Sequence, residues 1–347
     1  MRRIKVGILG ATGSVGQRFV DLLRDHPWFE IAEVYASERS AGKSYREAAK
    51  WFLDRAIPES VAELEVKNVN AASKNADVEI MFSALPGDVA RDVEKECAKA
   101  GYAVTSNVSV HRMEEDVPLV IPEVNADHLR LIEVQRRRRG WDGFIVTNPN
   151  CSTIMMTMTL KPLMEFGIEE VHVATMQAVS GAGYAGVPSM AIIDNVIPFI
   201  SREEEKMETE TLKILGTLES ERIKNAEFKV TASCHRVPVL DGHTEAIWVR
   251  FSKDVNVEDV KAAFKNFKST LDTPFAPRTP LILREEQDRP QPRLDRDAER
   301  GMAVSVGRVR QSGSKEVKYI ALGHNTVRGA AGAAILNAEI LVKEKYI

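Results

Sequence analysis

The segment Ile4–Leu9 passes without a break into Gly10-Ala11-Thr12-Gly13-Ser14-Val15-Gly16, and Gly16–Arg24 then reads as a helix. A strand, a glycine-rich turn and a helix in that order make the start of the chain a βαβ unit. Glycines in such a turn let backbone approach a pyrophosphate, which then rests on the helix N-terminus. The spacing is a variant of the usual dinucleotide fingerprint, so its setting carries the assignment. Further strands are expected at Ile31–Ala36, Val78–Leu85, Ala103–Ser106 and Phe144–Thr147, with a helix at Val89–Ala100 among them. This alternation implies a parallel sheet with crossover helices, a Rossmann-like α/β dinucleotide-binding domain over residues 1–150.

From about residue 169 the pattern changes to longer strands: Glu170–Ala178, Phe228–Cys234, Glu245–Phe251 and Met302–Arg310. Helices are expected near Pro188–Phe199, Glu203–Leu215 and Val257–Lys268, so residues 151–325 read as a second, α+β domain. The alanine-rich tail from Thr326 reads as a helix that folds back and completes the first domain. Asp272–Arg296, rich in Pro and Arg, reads as an extended arm or a surface loop. Gln135–Arg139 and Glu203–Glu208 read as solvated helix ends. A net charge of −3 gives no reason to expect a nucleic-acid partner, and no apolar run approaches the roughly 18 residues of a membrane span. Three scattered cysteines suggest neither a disulfide framework nor a zinc site, the histidines lack metal-ligand spacing, and the first residues show no signal-peptide pattern. A metal-free, cytoplasmic protein acting on small molecules is the expectation.

The reactive chemistry centres on Thr147-Asn148-Pro149-Asn150-Cys151-Ser152-Thr153-Ile154, where a buried strand turns into a helix. Asn150 is placed to cap that helix and Cys151 to sit in its first turn, where free N–H groups favour a thiolate and could hold an oxyanion. Three other clusters could converge on it: Gln177 to Gly183, which includes Ser180 and Gly181; Arg236 to His243; and His324-Asn325. A thiol, a histidine base and an arginine clamp suit acyl transfer by covalent catalysis. At the cofactor end, Gly10, Thr12, Gly13, Ser14 and Val15 form the phosphate turn. Ser37, Arg39, Ser40 and Lys43 suit a 2′-phosphate and so NADP, while Glu38 could face a ribose and leaves NAD open. Ser83, Leu85 and Pro86 are expected to lie along the cofactor.

Together these motifs resemble the aspartate-β-semialdehyde dehydrogenase family, closest to its archaeal and fungal branch, over essentially the whole chain. The resemblance implies NADP-dependent reduction of aspartyl phosphate to aspartate semialdehyde, with phosphate as co-substrate of the reverse reaction, through a cysteine thioester. That reaction serves synthesis of lysine or diaminopimelate, methionine, threonine and isoleucine. It also implies roles by motif. Cys151 in Asn150-Cys151-Ser152 is the nucleophile; His243, seven residues after Arg236, is the base, and Arg236 binds the substrate carboxylate. Gln177 and Asn150 orient the acyl group, while Ser109 and Arg112 form the phosphate site. Glu210 touches the substrate amine and Lys213 helps hold the phosphate; their i, i+3 spacing puts both on one helical face. Ser180, Gly181 and Asn325 bind the cofactor, Asn325 at the nicotinamide carboxamide. A homodimer or homotetramer is implied. The alternative on the same scaffold is a malonyl-CoA or succinyl-CoA reductase, which would keep Cys151 and His243 but need no phosphate site.

Overall fold

Three of the six strands of the first sheet are buried throughout and a fourth over its last four residues, which fits a parallel sheet covered on both faces. The structure, a computed structural model, describes residues 3–74 and 76–347. The first sheet comprises β1 (Ile4–Leu9), β2 (Phe29–Ala36), β3 (Val66–Asn68), β4 (Ile80–Ser83), β5 (Ala103–Ser106) and β6 (Phe144–Thr147). All pairings are parallel, in the order β3-β2-β1-β4-β5-β6. The order reverses between β1 and β4, and ligands of such sheets bind beyond the strand ends at that reversal.

The second sheet is mixed. It holds β7 (Ile168–Gln177), β10 (Lys229–Arg236), β11 (His243–Phe251), β12 (Leu281–Arg284), β13 (Val304–Gly313) and β14 (Glu316–Gly323). They run in the order β10-β7-β11-β14-β13-β12, and β8 (Thr217–Glu219) with β9 (Arg222–Lys224) forms a separate hairpin. The Cys151–Leu160 helix is buried on nearly all sides against this sheet, which explains its run of Ile154, Met155, Met156 and Met158.

The C-terminal helix Gly332–Lys343 returns to the first sheet as expected: Ile335, Leu336 and Ile340 share one core with Val6, Ile8 and Phe19. A π-helical turn, Val327–Ala331, precedes it. There Arg328 forms a buried two-pronged ion pair with Glu123, at 2.7 and 2.8 Å.

Several expectations need correction. The first helix begins at Ser14 rather than Gly16, which puts Ser14 and Val15 in its opening turn. The helix expected at Pro188–Phe199 shrinks to Ser189–Ile192, because Asp194 turns left-handed (φ 55°) and Pro198 cannot continue a helix. Strands β3, β8, β9, β12 and β14 are additions to the expected set. β12 lies inside the supposed arm, and its Arg284, with Arg289 of the adjoining loop, pairs with the buried Asp295. Within the basic run, Gln135 is buried and bonds across to Ile145, and Arg139 pairs with Glu114 and Asp116.

Candidate active site

Cys151 stands where β6 hands over to a helix. Asn150 Oδ1 accepts the Thr153 N–H (3.1 Å) and caps that helix. The cap is held in turn: the Asn150 N–H donates to Glu210 Oε2 (2.7 Å) and its Nδ2 to Glu203 Oε1 (2.7 Å). Cys151 is partly exposed, on the wall of a cavity of about 480 Å³.

Burial pushes the thiol up to about 12; Glu203 adds to this, and the Ser152 N–H, Arg112 and Arg236 oppose it without prevailing. The lowering expected at a helix N-terminus is therefore overturned by desolvation. Alkylation of Cys151 by iodoacetamide, followed on its own peptide, should accelerate about tenfold per pH unit through neutrality, with no plateau below about pH 10. A plateau near neutral pH would show a thiolate already present.

His243 opens β11 and is fully buried. Its Nδ1 accepts the Ala178 N–H (3.0 Å), so the neutral ring carries its proton on Nε2, which has no protein partner. Burial, with Arg236 and His324 nearby, holds the ring well below the usual histidine range. Arg236 ends β10 in register with Gln177 of β7, and its Nη1 donates to Ala178 O (2.7 Å). Gly181 joins these groups: a Cβ there would come within 2.7 Å of Arg236 Nη1 and 3.3 Å of His243 Nε2. Gly181, Gln177, Arg236 and Cys151 all line the cavity. Asn325 ties the two turns together, since Oδ1 accepts the Gly242 N–H (2.8 Å) and Nδ2 donates to Ser180 Oγ (2.8 Å).

At the other end of the cavity stand Ser109 and Arg112. Arg112 donates to Glu210 Oε1 (2.9 Å) and to Asn107 O (2.8 Å). The sequence reading puts Lys213 beside it as a phosphate ligand. Instead the Lys213 ammonium donates to the carbonyls of Arg112 (2.7 Å), Glu114 (2.8 Å) and Val117 (2.9 Å), so all three protons are occupied. Burial also lowers its pKa to about 8. Glu210 is likewise taken up, by Arg112 and the Asn150 N–H, and neither residue is on the cavity wall. The face shared by Glu210 and Lys213 thus buttresses the Arg112 loop. Two turns earlier on the same helix, Glu203 and Lys206 do line the cavity, and Glu203 is buried rather than solvated. The sequence signal for them is their place on the Glu210 face, at helical spacing.

The cofactor turn is a cradle that side chains would fill. Gly10 has φ +81°, and a Cβ there would come within 2.6 Å of Ala84 O; at Gly16 it would meet Gly10 O at 2.2 Å. Gly13 caps the helix without a side-chain bond, and Ser14 and Val15 line the cavity. Thr12 lies in the same turn, where Gln17 Nε2 donates to its carbonyl (3.1 Å). Beyond β2, Ser37, Glu38 and Arg39 are exposed and Ser40 is half-buried. Of the β4 group, Leu85 reaches the cavity wall, Ser83 is buried beneath it and Pro86 caps the next helix. Among the described residues, no group of three or more His, Cys, Asp or Glu is placed to hold a metal ion.

Comparison with known proteins agrees with this geometry. The family model for the semialdehyde dehydrogenase NAD binding domain matches residues 5–132, and that for the semialdehyde dehydrogenase dimerisation domain matches residues 160–328. The aspartate-semialdehyde dehydrogenase of Archaeoglobus fulgidus is 59% identical over 345 residues, covering 99% of this chain and 100% of the relative. That of Candida albicans is 46% identical over 361 residues, covering 99% of each. The crystal structure of the Candida albicans enzyme with NADP superposes with a TM-score of 0.92 at 44% identity, covering 99% of this chain and 100% of that one. Aspartate semialdehyde dehydrogenase II of Vibrio cholerae, complexed with ASA, gives 0.79 at 29% identity over 99% of each chain. With likeness of that degree along the whole of both chains, this protein belongs to the aspartate-semialdehyde dehydrogenase family.

Proposed function

We propose that the protein converts aspartyl phosphate to aspartate semialdehyde with NADPH, reversibly, through a thioester on Cys151. The observation that carries this is the convergence at Gly181, which lines the cavity with Cys151 and Arg236 and packs against both the Arg236 guanidinium and the buried His243 ring behind it. In the reductive sense the Cys151 sulfur attacks the acyl phosphate, and phosphate leaves with the bonding electron pair and takes up the thiol proton, giving the thioester. Arg112 and Ser109 hold the departing phosphate, while Asn150 and Gln177 orient the acyl group. Bound NADPH supplies the hydride. The Nε2–H that the Ala178 N–H leaves on the neutral His243 ring would donate a hydrogen bond to the carbonyl oxygen as hydride arrives, stabilising the thiohemiacetal oxyanion. The oxyanion then collapses to the aldehyde as the C–S bond breaks, and the Cys151 thiolate takes up a proton from solvent.

Gly10, Thr12, Gly13, Ser14 and Val15 would seat the pyrophosphate; Ser37, Arg39 and Ser40 the 2′-phosphate; and Ser180, Gly181 and Asn325 the nicotinamide. Residues 1–150 with 326–347 form the cofactor half and 151–325 the catalytic half. The chain is a homo-oligomer; a dimer or tetramer would cover exposed Met190, Ile193 and Phe199, which seldom face water together. Three free cysteines fit a reducing compartment, the cytoplasm.

One assay tests the reading. Aspartate semialdehyde with NADP⁺ should reduce the cofactor only when phosphate is present. Reduction independent of phosphate, or oxidation of NADPH by malonyl-CoA, would favour the CoA-thioester reductase.

A further inference from the structure

Among the described residues, Glu245 is the only carboxylate with both oxygens buried and neither hydrogen-bonded. A buried polar atom without a partner is costly, and a buried lone charge far more so. The catalytic steps above make no use of this residue. It stands two residues after His243 on β11, fully buried and off the cavity wall. In the sheet it lies opposite Thr175 of β7 and Ala321 of β14, and Thr175 lies opposite Cys234 of β10. Residues at every second position of a strand share a face. Further along the Glu245 face, Ile247 and Val249 join one core with Ile154 and Met158 of the Cys151–Leu160 helix. Glu245 therefore lies under that helix. Ser152, in its first turn, is fully buried, and its hydroxyl also makes no hydrogen bond of ordinary geometry. That hydroxyl is close enough to the Glu245 carboxyl to act on it as a hydrogen-bond partner. Each group supplies what the other lacks, since a protonated carboxyl donates and a hydroxyl oxygen accepts.

The surroundings favour the neutral acid. Burial pushes the Glu245 carboxyl well above the usual carboxylate range, and the charged neighbour, Glu203, is a second carboxylate that pushes the same way. Cys234 and Tyr319 lie within its electrostatic range, and burial holds both of them protonated too. Ser152 links this acid to the chemistry, because its backbone N–H faces the Cys151 sulfur and favours the thiolate. We propose that Glu245, as a neutral acid, is a positioning residue for the nucleophile: its O–H donates to Ser152 Oγ and keeps the Ser152 N–H on the Cys151 sulfur. An ionised carboxylate in the same place would oppose the thiolate that Ser152 serves. The inference rests on Cys151 being the nucleophile.

The test compares Glu245→Met, of similar size and without a donor, with Glu245→Gln, which keeps a donor and can carry no charge. Glu245→Met should lower kcat for aspartate semialdehyde about tenfold, as expected for one lost oriented hydrogen bond, and slow iodoacetamide alkylation of Cys151 at fixed pH to the same degree. KM for the aldehyde and for phosphate should stay within about twofold, because the cavity wall is untouched. Glu245→Gln should recover both rates. Its melting temperature should also gain on that of the wild-type protein between about pH 5 and about pH 8, where a carboxyl held protonated only in the folded state loses stability as pH rises. Ser152→Ala removes the acceptor instead; it should match Glu245→Met, and the double variant should be no slower than either. NADPH titration checks that each variant is folded. The proposal is overturned if Glu245→Gln is as slow as Glu245→Met, if Glu245→Met and Ser152→Ala keep both rates, or if the melting-temperature gap does not change with pH. Alkylation needs no turnover, so it decides the proposal even if the wild-type protein does not oxidise aspartate semialdehyde, an outcome that counts against the functional reading alone.

Discussion

Cys151→Ala should lower turnover at least ten-thousandfold, roughly the loss seen when a covalent nucleophile is removed from a working constellation, while NADPH still binds as in the wild-type protein. The two halves of that expectation come from different parts of the molecule. The sulfur is the only group in the first turn of the Cys151–Leu160 helix that can carry an acyl group, since Ser152 is fully buried. The cofactor turn, by contrast, is built from Gly10 to Gly16 and owes its shape to backbone packing against Ala84. Alanine is also sterically safe, because Gly329 packs so closely on Cys151 that a Cβ at 329 would lie 2.5 Å from the Cys151 Cβ. A smaller side chain fits that space, so a loss of activity would report chemistry rather than misfolding. Fluorescence titration with NADPH and a single-turnover measurement separate the two halves. Turnover within about tenfold of wild type would rule out the thioester.

Local patterns, decided among neighbouring residues, are legible in the sequence. The glycine turn after β1, the Asn150 cap and the strand end bearing Gln177 are of this kind, and the structure places them as read. Features decided by long-range docking are not legible. Glu203 follows an exposed Arg202 and precedes Glu204 and Glu205, a composition that suggests a wet helix start. It is buried because the Asn150 amide reaches across to it from β6. Lys213 looks like a phosphate ligand by spacing, and only the fold of the Arg112 loop brings three carbonyls onto its ammonium. The Cys151 thiol belongs with these. Its helix position argues for a lowered pKa, but the surrounding protein raises it.

Arg236→Lys should raise KM for aspartate semialdehyde by about a hundredfold, near 3 kcal/mol, with a smaller fall in kcat. Arg236 has two tasks that one ammonium cannot share. Its Nη1 holds Ala178 O (2.7 Å), and the Ala178 N–H in turn fixes the His243 ring at 3.0 Å. The remaining donors of the planar fork are free to take a carboxylate in two parallel bonds. Lysine keeps the positive charge, so the electrostatic depression of His243 persists, but it must choose between the carbonyl and the substrate. If it takes the substrate, the Ala178 turn loosens and kcat suffers; if it keeps the carbonyl, the carboxylate is left with a distant charge. Both routes weaken binding of any substrate that carries the carboxylate, so succinate semialdehyde should lose as much as aspartate semialdehyde. An unchanged KM in Arg236→Lys would take the carboxylate away from Arg236 and leave it as a support for the His243 turn.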